Sequence, residues 1–219
     1  MTNSRAVLFD LDGTITDSAP GMIACIRYAL ADMDLEGPDD DDMRSFLGPP
    51  LVDTFTNHFG LTPAESTRLI AKYRERYHEV GEYENAVYPG MPEILADLRA
   101  QGATVATATS KPTASATRIL THFGLDGYFT FIGGAEMHGA RQHKADVIAH
   151  TLEELGIDDP AAVDIHMVGD RSHDVLGAKQ FGIPTIGVLW GYGSRAELTA
   201  AGAVAIVDDA AQLRALLRL

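Results

Sequence analysis

Cysteine is nearly missing from this chain. Cys25 stands alone, so no disulfide can form within it, and its expected place is as a small buried apolar residue. Basic residues are also scarce, 17 Lys and Arg against 31 Asp and Glu, for a formal charge of −14. Proteins that grip a nucleic-acid backbone carry basic patches, so that class of partner is excluded. Small phosphate esters are not, because local lysines and a metal ion override the global field. No run approaches the roughly 20 apolar residues of a membrane-spanning helix, and no signal-type apolar stretch precedes the first strand. The expectation is a cytoplasmic protein with no membrane partner. The eight histidines are scattered without an H-x-x-x-H pair, which argues against a transition-metal site. Gly187, Gly191 and Gly193 are not followed by a helix in the place a dinucleotide fingerprint needs.

What is present is a chain of 219 residues, 46% hydrophobic, enough for one α/β domain with a modest insertion. Val7-Leu8-Phe9 leads straight into Asp10-Leu11-Asp12-Gly13-Thr14. Residues i and i+2 of a strand point the same way. Two carboxylates so placed need a cation, a shared proton or a bend that parts them. Gly13 supplies the freedom for a bend. The carboxyl end of a buried strand is also where an open α/β sheet places its ligands.

Three later segments repeat the pattern. Val105 to Ser110 is a small-residue strand ending in two hydroxyls, followed by Lys111 and Pro112. Hydroxyl and N–H groups at such a strand-to-helix junction suit an anionic oxygen, although Ser110 also reads as a simple helix cap. Lys144 opens a helical pattern with Val147, Ile148 and Leu152 on one face. A lysine is less helpful to the helix dipole there than an acid, which hints at a ligand. Ile165 to Gly169 is a second buried-type strand that ends in Asp170, with Asp174 at the start of the next helix.

Between the first strand and residue 85 the β-rich runs disappear. Met22, Ile23, Ile26, Tyr28 and Leu30 suggest one amphipathic helix, and Leu69, Ile70, Tyr73 and Tyr77 another. The acidic run Asp39 to Asp42 reads as a solvated turn entering a helix. Beyond Tyr88-Pro89-Gly90, helices over 92–100, 113–123, 145–155 and 174–181 alternate with strands over 104–109, 129–132, 164–168 and 185–189. A last strand and helix fill 203–217. Such alternation predicts a Rossmann-like parallel sheet with helices on both faces. Residues 1–16 and 85–219 would form this core, and 17–84 a helical insert after the first strand.

In order and spacing, Asp10-x-Asp12-Gly13-Thr14, Thr109, Lys144 and Gly169-Asp170-x-x-x-Asp174 resemble the haloacid dehalogenase superfamily, over essentially the whole chain. Gly169 to Ala178 and Gly187 to Gly193 look like its phosphoglycolate phosphatase-like and 5′-nucleotidase-like branch. The resemblance implies a Mg²⁺-dependent phosphomonoesterase acting on a small phosphorylated metabolite, phosphoglycolate or a nucleoside monophosphate. Asp10 would be the nucleophile and Asp12 the acid and base. Thr109, the Ser110 backbone and Lys144 would hold the phosphoryl group. Asp10, the Asp12 carbonyl and Asp170 would ligate the metal, with Asp174 as a ligand or as an anchor for the metal's waters. The insert would be a cap of the helical C1 type, and Arg44 and Gly48 are its candidate specificity residues. The acid at Asp12 favours phosphoryl chemistry over dehalogenation, since a halide leaves without a proton. Two alternatives share the fold: a sugar-phosphate mutase of the β-phosphoglucomutase type, and a non-catalytic binding protein, which the intact motif set disfavours.

Overall fold

Strand β1 (Arg5–Phe9) is buried along Ala6, Val7, Leu8 and Phe9, as befits a strand covered on both faces. Val7 and Phe9 point to one apolar cluster and Ala6 and Leu8 to another, the two-residue alternation of extended backbone. The computed structural model describes residues 5–44, 46–47, 51–136, 139 and 141–219. It divides into two units, 1–17 with 87–219, and 18–86.

The first unit is built on a six-stranded parallel sheet. In chain order its further strands are β4 (Thr104–Pro112), β5 (Phe131–Ala135), β6 (Asp164–Gly169), β7 (Thr185–Val188) and β8 (Ala205–Val207); two short strands, β2 (Thr16–Asp17) and β3 (Ala86–Val87), mark the ends of the insertion. The sheet order is β5-β4-β1-β6-β7-β8. The chain leaves β1 toward β4 and β5, then returns to β1's other edge with β6. The order therefore reverses between β1 and β6, the switch point at which an open α/β sheet binds its ligand. Register fixes the strand ends there. Phe9 lies opposite Thr107 on one side and Val168 on the other, and the Asp10 N–H donates to the Val168 carbonyl at 2.9 Å.

Helices cover both faces, as the alternation predicted. The Val7–Phe9 face packs on residues of α5 (Met91–Ala100), α6 (Thr113–His122) and α10 (Ala210–Leu216). The Ala6–Leu8 face packs on α7 (Lys144–Glu154) and α8 (Ser172–Lys179). Burying a side chain such as Leu8 or Phe9 contributes about 1.5–3 kcal/mol. In this unit a helix outside the predicted alternation, α9 (Arg195–Ala201), lies between β7 and β8. Its signals were present, since Ser194 caps it by accepting from the Glu197 N–H and Gly202 ends it in the left-handed region.

The second unit is helical, with α1 (Ala19–Asp32), α2 (Asp40–Arg44), α3 (Leu51–Phe59), α4 (Pro63–Arg76) and a π-helical turn, Tyr77–Gly81. Ile23, Ile26 and Leu30 of α1 and Leu69, Ile70 and Tyr73 of α4 are buried as their spacing predicts. Tyr28 is not; it stays partly exposed, with the Lys72 ammonium 4.8 Å from its ring centre. The acidic run enters α2, and Asp39 accepts from the Asp42 N–H. Among the described residues no helix is long and apolar enough to cross a membrane.

Candidate active site

Asp10 follows the last residue of β1, so its carboxylate stands at the switch point. The strand pattern then breaks. Thr14, Ile15 and Thr16 all turn their N–H groups onto the Leu11 carbonyl, and Gly13 takes a φ of +79°, which only glycine adopts without strain. This bend parts the two motif acids, and each meets a separate cation. Lys144 Nζ lies 3.0 Å from Asp10 Oδ1, and Lys111 Nζ 3.0 Å from Asp12 Oδ2. The clash of like charges is thus resolved by a bend and two counter-ions together.

Lys144 opens α7 but does not point to solvent. Its ammonium donates to the Ala108 carbonyl at 3.0 Å and contacts Asp10 and, at 2.7 Å, Asp174. Three donor hydrogens meet three oxygens. Burial alone would lower its pKa, but the two carboxylates outweigh burial and hold it above the ordinary lysine value. Asp174 has two tasks. As the third residue of α8 it accepts from the Arg171 N–H at 3.0 Å, the capping role, and it also faces Lys144.

Asp170 lies beyond the end of β6 and is fully buried. Its carboxylate accepts from the Tyr192 N–H at 2.8 Å and the Thr14 hydroxyl at 3.3 Å. Burial, then the charges of Asp174 and Asp10, push its pKa well above the usual carboxylate range. Burial likewise raises Asp174 to about 6, against the pull of Lys144. Oxygens of Asp10, Asp170 and Asp174 all fall within 4.8 Å of one another. Of these three acids, Asp10 and Asp174 share the Lys144 ammonium, whereas Asp170 meets the Tyr192 N–H and the Thr14 hydroxyl. The clustered carboxylates form an all-oxygen donor set that fits a hard divalent cation. Asp12 gives no carboxylate oxygen to the cluster.

Thr109 is buried near the end of β4, where its hydroxyl accepts from the Lys111 N–H at 3.2 Å. Ser110 is exposed and is not a helix cap; α6 begins at Thr113 after Pro112, with no side-chain cap. Of the two specificity candidates, Arg44 ends α2 as an exposed residue, and Gly48 lies outside the described residues. Phe46 is buried against His58 and Phe59.

Sequence reasoning missed three supports. Lys111 reads from the sequence only as the lysine after two hydroxyls. Trp190 reads as strand-end packing, and does pack on Tyr88, but its indole N–H also donates to the Thr14 carbonyl at 3.0 Å and so braces the Asp10 loop. The loop after β7 presses on Asp170 so closely that a Cβ on Gly191 would sit 2.3 Å from the Gly13 carbonyl oxygen and 2.5 Å from Asp170. Paired glycines in that segment were the legible signal.

Comparison with known proteins agrees with this layout. A family model described as haloacid dehalogenase-like hydrolase matches residues 7–188. The chain is 41% identical to a 5′-nucleotidase of Pseudomonas aeruginosa over 211 residues, 96% of this chain and 94% of the relative. It is 41% identical to the tyrosine-protein kinase PtkA of Mycobacterium tuberculosis over 209 residues, 95% of this chain and 70% of that one. The structure of a predicted phosphatase from Clostridium acetobutylicum superposes with a TM-score of 0.91 at 39% identity, covering all of both chains. With its switch-point acids, its helical insertion and these relatives, the chain belongs to the haloacid dehalogenase-like hydrolases.

Proposed function

We propose that this hydrolase is a Mg²⁺-dependent phosphomonoesterase that works through an aspartyl-phosphate on Asp10. The observation that carries the reading is the grouping of Asp10 with Lys144 and the Asp170 and Asp174 carboxylates at the switch point. Lys144 pairs with Asp10 Oδ1, the oxygen that also accepts from the Leu11 N–H at 2.8 Å. An ionised, oriented carboxylate suits attack on phosphorus. The dianionic ester repels that carboxylate unless its oxygens are neutralised. Asp10, Asp170 and the Asp12 carbonyl, with Asp174 alongside, would hold Mg²⁺, which would supply that neutralisation. Thr109, the Ser110 N–H and Lys144 hold the transferring group. Asp12 protonates the departing alcohol oxygen and then takes a proton from the water that cleaves the acyl phosphate.

The unit 18–86 serves as the cap that selects the alcohol, a reading supported by its place in the chain straight after the first motif. A nucleoside monophosphate is preferred over phosphoglycolate because the P. aeruginosa relative is named a 5′-nucleotidase. The global charge of −14 and the local lysines fit a small soluble ester rather than a polymer.

The test is phosphate release from nucleoside monophosphates, phosphoglycolate, hexose phosphates and a phosphotyrosine peptide, with and without Mg²⁺. Metal-dependent release is expected, reduced at least about a thousandfold in Asp10→Asn. Phosphate kept on a hexose in the presence of a bisphosphate primer would instead indicate a mutase. Silence on every ester and with the primer would leave a binding protein.

A further inference from the structure

Lys111 is a buried cation at the site to which neither the motifs nor the mechanism above gives a part. It is as buried as Lys144, and burying an ammonium is costly unless it is paired. The backbone is shaped to bring it in. Thr109 pairs with Gly134 and Pro112 with the next residue, Ala135, so β4 carries extra residues between those points. Bulges of this kind re-aim side chains beside functional sites. Here Ser110 is left exposed, Lys111 is buried, and the Lys111 N–H is satisfied by the Thr109 hydroxyl. Its ammonium reaches Asp12 Oδ2 at 3.0 Å, while Asp12 Oδ1 is buried with no hydrogen-bond partner among the described residues. The ion pair therefore fixes which carboxylate oxygen is committed and which is open.

We propose that Lys111 is a positioning residue for Asp12: it tethers one oxygen so that the other faces the leaving group. The inference rests on the phosphomonoesterase reading and deepens it. As the P–O bond breaks, its electron pair stays on the alcohol oxygen while phosphorus bonds to Asp10. The proton on Asp12 passes to that alcohol oxygen, and the resulting carboxylate remains held by the Lys111 ammonium. Loss of the tether therefore matters most where the leaving oxygen needs a proton.

The experiment compares kcat/KM of the Mg²⁺-loaded enzyme on an alkyl phosphate and on p-nitrophenyl phosphate, whose leaving group departs as a stable anion. This quantity covers steps up to departure of the alcohol, so the shared hydrolysis of the acyl phosphate does not enter. Comparing two esters on one preparation also cancels the folded fraction of a damaged variant. For Lys111→Met the alkyl ester should lose about a hundredfold, the low end for general acid catalysis, and the aryl ester less than about threefold. Asp12→Asn should show the same selectivity, and the double variant should lose no more on the alkyl ester than Asp12→Asn alone. Lys111→Arg should restore much of the alkyl activity. Equal losses on both esters in Lys111→Met, or a rise in KM alone, would overturn the proposal and make Lys111 a binding or structural residue. Turnover of neither ester by the wild type would remove the phosphomonoesterase reading itself, and this inference with it.

Discussion

Asp10 and Asp12 stand two residues apart, yet each is held by a different lysine arriving from a different element, β4 or α7. Lys144 carries the larger burden, because it also faces Asp174. Removing one partner from a buried ion pair costs about 3–5 kcal/mol. Lys144→Met should lower stability by about that amount in urea denaturation near neutral pH without metal. The loss should depend on pH. Burial raises Asp174 to about 6, so the fold favours its protonated form. The stability this gives is complete below the ordinary carboxylate value of roughly 4 and is lost as pH rises through about 6. Without Lys144 to offset the charge, the penalty should be smaller at about pH 5 than at about pH 7.5. An equal penalty at both would show that Lys144 acts through packing rather than charge.

At the scale of elements, the site is a meeting of strand ends. β1 and β6 deliver Asp10 and Asp170, the first turn of α8 delivers Asp174, and the loop after β7 closes on Asp170 through the Tyr192 N–H. Gly191→Ala tests that closure, since the added methyl meets the Gly13 carbonyl and Asp170. The loop must shift, Asp170 loses a donor, and Mg²⁺ should bind about 10–100-fold more weakly, as when an outer partner of a metal ligand is removed. A Mg²⁺ titration by calorimetry checks this, and unchanged affinity would mean the loop has no hold on the acid. These strand ends were legible in the sequence because an apolar run stopping at Asp is a local pattern. The bulge that turns Lys111 inward was not, since it depends on the register between β4 and β5. Helix α9 escaped notice because the glycine-rich stretch before it reads as loop, although Ser194 and Gly202 frame it.

Across the whole molecule, the alternation beyond residue 88 was enough to predict a parallel sheet with helices on both faces, and the loss of β-rich runs before it marked the helical insertion. Strand order was not written in any single segment; it follows from packing β6 back against β1, which puts Asp170 beside Asp10. The substrate's alcohol is less legible still. The residues expected to meet phosphate belong to motifs, whereas Gly48 lies outside the described residues and Arg44 is exposed on the surface of its unit. The chain's charge of −14 opposes any anionic ligand, so attraction at the site has to come from local cations such as Lys111 and Lys144. What the whole account turns on is the covalent step at Asp10. The most direct measurement is mass spectrometry of the Mg²⁺-loaded enzyme, acid-quenched within milliseconds of mixing with its best ester, followed by digestion. The account predicts one added phosphoryl group on the peptide that contains Asp10, and none in Asp10→Asn. Steady turnover with unmodified Asp10 at every quench time, or a phosphoryl group on another residue, would contradict it.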